Sequence, residues 1–406
     1  MKKNLFILIA GLIVFAQCTE KDEPKPVTNI DINPKSLAVI EADNAFGLKM
    51  FQEINGLPDS DTNLFVSPTS VGLALAMAYN GARNETKEAF EECMQLSGFT
   101  TQEINEVYQN LMQGLIGADP DVTFTVANSI WYEQSFDVFP DFLNTNIQYY
   151  NAEVSPLDFS DPASVDVINN WVATNTNDRI TEIIDNISPT QLMFLINAIY
   201  FKGTWQYEFD PANTTDMAFY RTPTNPVDVP TMHMEADLET LSTGMFRAVK
   251  LPYGNGSYSM IIMLPTAPTT VDELIASLTI ENWTEWQSSF SVTEDMELFL
   301  PKFKFEYNID LMPILDEMGL GNAFTPNADF TGISNLRPLY IGKVKHKTFV
   351  DVNEEGTEAA AVTLVGFTYT SVNPNLLAIN KPFVFSICEE TTGAIVFIGK
   401  VVMPEY

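Results

Sequence analysis

The sequence predicts an α+β fold, built as one large domain over residues 37–406. Three observations predict it. The apolar fraction of 46% supplies ample material for a core. No linker-like stretch, internal repeat or second composition interrupts the chain after residue 37, and the roughly 370 residues that remain suit one large domain. Both periods of regular structure occur. Helical patterns fall mostly before residue 176 and strand patterns mostly after residue 190.

Residues 1–17 are set apart from the fold. Lys2 and Lys3 precede an apolar run, Leu5–Ala16, and Cys18 follows. A charged start, a short apolar core and then a processing site make a secretory signal. The run is shorter than the about 20 apolar residues of a membrane span. Cys18 resembles the lipidated cysteine of bacterial lipoproteins, although Gln17 stands where those proteins carry a small residue. Lys21-Asp22-Glu23 resembles the surface-export signal of Bacteroidetes lipoproteins. The resemblance implies export, a lipid anchor in the bacterial outer membrane and surface exposure, with membrane contact only through that lipid. A soluble extracellular protein with an incidental cysteine is the alternative. Residues 18–36, with Pro24, Pro26 and Pro34, read as a flexible tether.

Charge narrows the partners. The chain has 21 basic and 53 acidic residues, a net charge of −32. Phosphate contacts need clustered Lys and Arg, so nucleic acid is not an expected partner. The acidity favours solubility, or attraction of basic partners. Cys93 and Cys388 each sit in apolar surroundings and read as buried free thiols rather than a disulfide.

The elements follow in order. Phe46, Met50 and Ile54 recur four apart, so Leu37–Ile54 is a helix. Leu64-Phe65-Val66 is a short strand. Ser67 can then cap a helix whose first turn holds Pro68 and which runs apolar on nearly all sides to Asn80. Amphipathic helices are expected over 85–95 and 101–116, and further helices near 140–150 and 162–175. Val122–Tyr132 alternates as a strand. Leu192–Trp205 is apolar apart from Asn197 until Lys202, which suits a strand buried on both faces. Phe246–Tyr253 and Ser257–Pro265 are strands about a Gly254-Asn255-Gly256 turn. A helix is expected near 271–289, a strand over 298–305, a helix over 309–319, and closing strands over 383–387 and 395–402. Trp131, Trp171, Trp205, Trp283 and Trp286 are mostly core candidates.

One stretch fits this pattern less simply. From Thr357, alternate residues are Thr357, Ala359, Ala361, Thr363, Val365, Phe367 and Tyr369, none of them charged. As a strand this face is buriable. Yet Asn353, Glu354, Glu355 and Gly356 before it, and Ser371–Asn375 after it, read as exposed loop. The stretch is either an ordinary strand between two turns or a segment able to change state.

Resemblance separates the two. Asp351–Ala360 resembles the hinge of the serpins, and Asn380-Lys381-Pro382-Phe383-Val384-Phe385 resembles their strand after the reactive loop. Asn63–Val71, Ile168–Val172 with Arg179-Ile180, Asn197–Trp205 and Phe324–Ile333 also match serpin segments, in order. The resemblance implies three β-sheets, about eight or nine helices and an exposed reactive loop at about 354–375. It implies a monomeric, single-use inhibitor of serine endopeptidases, in some cases of cysteine ones, that inserts its cleaved loop into the central sheet. Serpin loop insertion is an established case of β-strand addition. A non-inhibitory binding or chaperone protein on this fold is the alternative.

The resemblance also assigns residues. Glu354, Glu355, Gly356, Thr357, Glu358, Ala359, Ala360 and Ala361 form the hinge. The cut bond is Thr370–Ser371, or Tyr369–Thr370 if the frame is one residue shorter. Ser67, Ser70, Asn197 and His346 form a shutter beneath the sheet, in which Asn197 and His346 meet. Trp205 and Lys302 lie at the upper end of the sheet. Lys302 would pair with Glu354, and as a surface pair this is worth about 0–1 kcal/mol. Small hinge residues and the absence of proline over 357–370 permit entry into a sheet, where the run would extend roughly 46 Å. No Arg or Lys lies between Gly356 and Asn380, so elastase-like or chymotrypsin-like proteases are expected rather than trypsin-like ones.

Enzymatic chemistry finds no support. His233 and His346 are the only histidines, and neither sits in a nucleophile motif. No zinc spacing or phosphate loop occurs, and no metal or cofactor is implied. A surface protein that binds glycan or an adhesin partner is a third reading, which the tether and aromatic content allow and the full-length resemblance disfavours.

Overall fold

Asn33 caps the first helix. In the computed structural model, which describes residues 33–58, 60–357 and 375–406, its Oδ1 accepts the amides of Lys35 and Ser36, each at 3.0 Å. Cys18, Glu358, Ala359, Ala360, Ala361, Tyr369, Thr370 and Ser371 lie outside the described residues. Helix α1 (Pro34–Asn55) therefore begins three residues ahead of the predicted boundary, with Pro34 where no amide is needed. Phe46, Met50 and Ile54 are fully buried, as their period requires.

Strand β1 (Leu64–Val66) leads into α2 (Pro68–Tyr79). The Ser67 hydroxyl accepts the Ser70 amide at 3.2 Å and caps that helix. All of α2 except Ala74 is buried. Next come α3 (Asn84–Cys93), α4 (Thr101–Gly117), β2 (Val122–Glu133), α5 (Pro140–Tyr150), β3 (Glu153–Leu157), α6 (Ala163–Asn175) and β4 (Met193–Thr204), all but the unpredicted β3 close to the predicted spans.

The middle of the chain is mostly strand. It holds β5 (Thr215–Thr222), β6 (Asn225–Ser242), β7 (Phe246–Tyr253), β8 (Tyr258–Pro265), β9 (Ser291–Pro301) and β10 (Phe303–Asp310). The helix expected at 271–289 is two, α7 (Val271–Ala276) and α8 (Ile280–Ser288). Thr270 caps one, and Thr279, accepting the Asn282 amide, starts the other. The helix expected over 309–319 shrinks to one turn, α9 (Met312–Leu315), because β10 persists to Asp310. A π turn carries the chain on to Gly319, whose φ of +103° suits glycine. The remaining strands are β11 (Lys345–Val352), β12 (Gly356–Thr357), β13 (Leu376–Ala378), β14 (Phe383–Glu389) and β15 (Ile395–Val401).

Two hydrogen-bonded sheets result among the described residues. The six-stranded one runs β10-β11-β12-β4-β2-β3. The nine-stranded one runs β1-β15-β14-β8-β7-β6-β9-β13, with β5 on β6. The 18-residue β6 pairs with β5 and β9 over most of its length and with β7 at its end, so two of the three expected sheets are joined through it. Helix α2 lies between the sheets, touching β4 and β15. Helix α6 covers the opposite face of the six-stranded sheet, where Trp131, Ile168, Val172, Ile180, Ile184 and Ile196 pack together.

Burial departs from expectation in β4. Ala198 to Phe201 are buried, but Met193, Phe194 and Leu195 are only partly so, because they border a cavity. Cys93 and Cys388 are buried free thiols, and burial pushes each up to about 12. Trp131, Trp205 and Trp283 are core residues, while Trp171 and Trp286 are partly exposed. His233 stacks on Phe299 with ring centres 4.4 Å apart, and its Nε2 lies 3.3 Å from Glu297.

Candidate functional site

The central feature is the junction of β4 and β11. These strands run parallel, and among the described residues only β12 joins them, at their upper ends. Thr357 pairs with Val352 on one side and Gly203 on the other, and Gly356 pairs with Thr204. The start of the predicted buriable run is thus already a strand of this sheet.

A tight turn delivers it. The Asn353 amide donates to Gly356 O at 2.9 Å, and the Glu355 amide to Asn353 Oδ1 at 3.2 Å. Glycine is needed at 356 because a Cβ there would lie 2.1 Å from Gly203 O. The Thr357 hydroxyl meets Tyr253 Oη at 2.7 Å, and Thr357 is only 5% exposed.

The predicted exposed loop therefore starts later than its polar residues suggest. Asn353 and Glu354 are buried, and only Glu355 at the tip is exposed. Trp205 holds this segment from below. Its Nε1 donates to Asn353 O and its amide to Glu355 O, both at 2.9 Å, while its ring stacks on Tyr253 at 4.4 Å. The Phe209 amide donates to Glu354 O at 3.0 Å.

The Lys302–Glu354 pair forms, at 2.7 Å, but not at the surface. Glu354 keeps 4% of its side-chain exposure and Lys302 15%. The Thr214 hydroxyl donates to the second Glu354 oxygen at 2.7 Å. A buried carboxylate must be paired and hydrogen-bonded, and here it is both. The surface-pair value does not apply, because breaking a buried pair strands a charge in low dielectric.

Below Thr357, the facing stretches of β4 and β11 border a cavity of about 570 Å³. Ser67, Ser70, Asn197 and His346 all line it. Their contacts differ from the expected ones. His346 Nε2 accepts the Ser67 amide at 3.0 Å, and Ser67 Oγ donates to Val396 O at 2.7 Å. Asn197 does not meet His346. Its Nδ2 donates to Asn128, its cross-strand partner on β2, at 2.8 Å, and its buried Oδ1 has no donor among the described residues. The parting of β4 from β11 puts the cavity between the two residues. Burial pushes His346 down from 6.5 to about 4, so its Nε2 stays free to accept.

Sequence reasoning missed three residues here: Tyr253, Thr214 and Asn128. Each lies in a segment readable only as strand or loop, and its role depends on a partner more than 60 positions away. Asn128 interrupts the alternation of β2, a weak signal that a polar partner is needed inside.

Comparisons with known proteins place this arrangement. The family model described as Serpin (serine protease inhibitor) matches residues 41–404. An uncharacterized serpin-like protein of Methanosarcina acetivorans is 32% identical, over 99% of this chain and 97% of its own length. The crystal structure of tengpin, a thermophilic serpin in its native state, superposes with a TM-score of 0.81 at 33% identity, covering 94% of this chain and 97% of tengpin. Human thyroxine-binding globulin in complex with thyroxine gives a TM-score of 0.81 at 27% identity, covering 92% of this chain and all of that one. With the family model matched from the first helix to the last strand, and Gly356 and Thr357 paired between β11 and β4, this chain belongs to the serpin family, generally inhibitors of proteases rather than enzymes.

Proposed function

We propose that this protein is an inhibitory serpin that traps a serine protease as an acyl-enzyme and inserts its cleaved loop between β11 and β4. The observation that carries the reading is β12, a two-residue strand paired on both sides at the head of a cavity bordered by the same two strands.

The chemistry is that of an ordinary substrate, arrested. The protease serine hydroxyl attacks the carbonyl carbon of Thr370. Its proton passes by way of the protease base to the departing amine of Ser371. The Thr370–Ser371 peptide bond breaks and an ester forms between Thr370 and the protease. The freed segment then extends β12 downward and carries the esterified protease with it. Loss of the protease's own geometry blocks hydrolysis of the ester. With the frame one residue shorter, Tyr369 forms the ester instead. Thr or Tyr at this point suits elastase-like or chymotrypsin-like pockets.

The test is incubation with neutrophil elastase, chymotrypsin and trypsin. The expected product is a complex that survives boiling in detergent, with a new N-terminus at Ser371 or Thr370 by mass spectrometry. Loop cleavage without complex, across a panel that includes cysteine proteases, would favour the binding-protein reading. The likeness to thyroxine-binding globulin is what supports that second reading.

We also propose that residues 1–36 export and tether the domain through a lipid on Cys18. Cells given a clickable palmitate analogue should label the wild-type chain and not Cys18→Ser. Equal labelling of both would remove the anchor.

A further inference from the structure

The cavity between β4 and β11 has walls from both faces of the sheet. Val71 and Leu75 of α2 line its rear, and Val172, Ile180 and Ile184 line its front. Its volume of about 570 Å³ lies within the roughly 300–1,000 Å³ typical of small-molecule sites. Apolar side chains dominate the wall. A site of this kind needs a few convergent polar groups to fix a ligand's orientation.

Such groups are present, and they are cationic. Lys343, Lys345 and Lys347 line the same cavity. Lys345 and Lys347 alternate along β11, so they share one face of the sheet, opposite His346. Lys347 Nζ is 3.0 Å from Glu306. Lys343 and Lys345 have no carboxylate within ion-pair distance among the described residues, although Asp310 is the cross-strand partner of Lys345. Both are only partly exposed. In a chain with 53 acids against 21 bases, two unneutralised lysines beside an apolar cavity run against the average surroundings of a cation.

From this juxtaposition we propose that the cavity binds a long-chain fatty acid, its hydrocarbon chain between β4 and β11 and its carboxylate at Lys343 and Lys345. The apolar wall accounts for the chain and the lysines for the head. A neutral amphiphile of equal length would lack the second part. Binding itself does not depend on the inhibitory reading. Its consequence does: a chain lying in this cavity occupies the room an inserting strand needs, so the ligand would slow protease trapping.

The test uses the full chain and the fluorescent fatty acid cis-parinarate. We expect saturable binding at one site per chain and displacement by palmitate. Hexadecanol should displace the probe about tenfold more weakly, as should palmitate from a Lys343→Gln/Lys345→Gln variant, since each removes a charge-assisted contact. The variant shares residues 1–36, so the apolar N-terminal run contributes equally to both proteins. Ala74→Phe, which fills the cavity from α2, should also lower affinity. The proposal is overturned by absence of saturable binding, by equal displacement with hexadecanol, or by affinity unchanged in both variants. Protease trapping is assayed in parallel, with and without palmitate. A chain that traps protease but binds no probe loses this site and keeps the inhibitory reading. One that binds the probe and never traps protease keeps the site and loses that reading.

Discussion

Glu354 shows how much one side chain can hold at the head of the sheet. Lys302 and Thr214 each satisfy one of its oxygens at 2.7 Å, and Phe209 takes its carbonyl. Lys302→Ala leaves that carboxylate buried with one neutral donor. Breaking a buried pair costs about 3–5 kcal/mol. Because Thr214 remains, we expect the lower end of that range in denaturant melts; a loss no larger than that of a surface pair would mean the site hydrates freely. His346 governs pH dependence. Unfolded, it takes a proton near 6.5; folded, burial holds it at about 4. Between those values the unfolded state binds more protons, so stability falls as pH falls. From pH 6.5 to 5 the loss from this residue is roughly 1.5 kcal/mol. His346→Gln keeps an acceptor for the Ser67 amide and should flatten this part of the stability–pH curve. An unchanged slope would assign the acid sensitivity elsewhere.

Among the elements, β12 matters most to the proposed mechanism. Thr357 is already inside the sheet, against Tyr253. Thr357→Arg would bury a charge there, which is expensive. Such a variant should be cut as a plain substrate, with no detergent-stable complex; trapping at the wild-type rate would sink the insertion mechanism. Only part of β12 is readable in the sequence. Small residues after Gly356 identify a segment able to enter a sheet, but the polarity of Asn353 and Glu354 reads as solvent-exposed loop. Their burial depends on Trp205, Thr214 and Lys302, which no local pattern can supply. The same limit explains Asn197. An isolated Asn in an apolar strand announces a buried hydrogen bond, yet its partner is Asn128, set by the register of β2 and β4. Where capping is local, as at Ser67 with Pro68, sequence and structure agree to the residue.

For the molecule as a whole, the long apolar strands and the helix buried between the sheets were legible, because burial on both faces leaves a continuous apolar run. The joining of two expected sheets through β6 was not. An 18-residue strand that changes partners midway has no signature in its own composition. Among the described residues, β4 and β11 share no pairing of their own below Thr357. A strand entering there would complete two ladders at once. Chain cleaved in the 358–374 segment by a non-target protease should therefore melt well above intact chain, measured by circular dichroism. Equal melting temperatures would mean that no insertion follows the cut.

Trp205 lends itself to one more use. Its indole is stacked on a phenol and donates to the carbonyl of the turn that leads into β12. Indole emission shifts with polarity and with quenching by neighbouring groups. The turn cannot move without changing both. Of the other tryptophans, Trp131 and Trp171 pack edge to face with each other, and Trp286 packs on Phe246. The molecule thus contains an optical reporter at the turn before β12, readable in real time by stopped flow without any added dye.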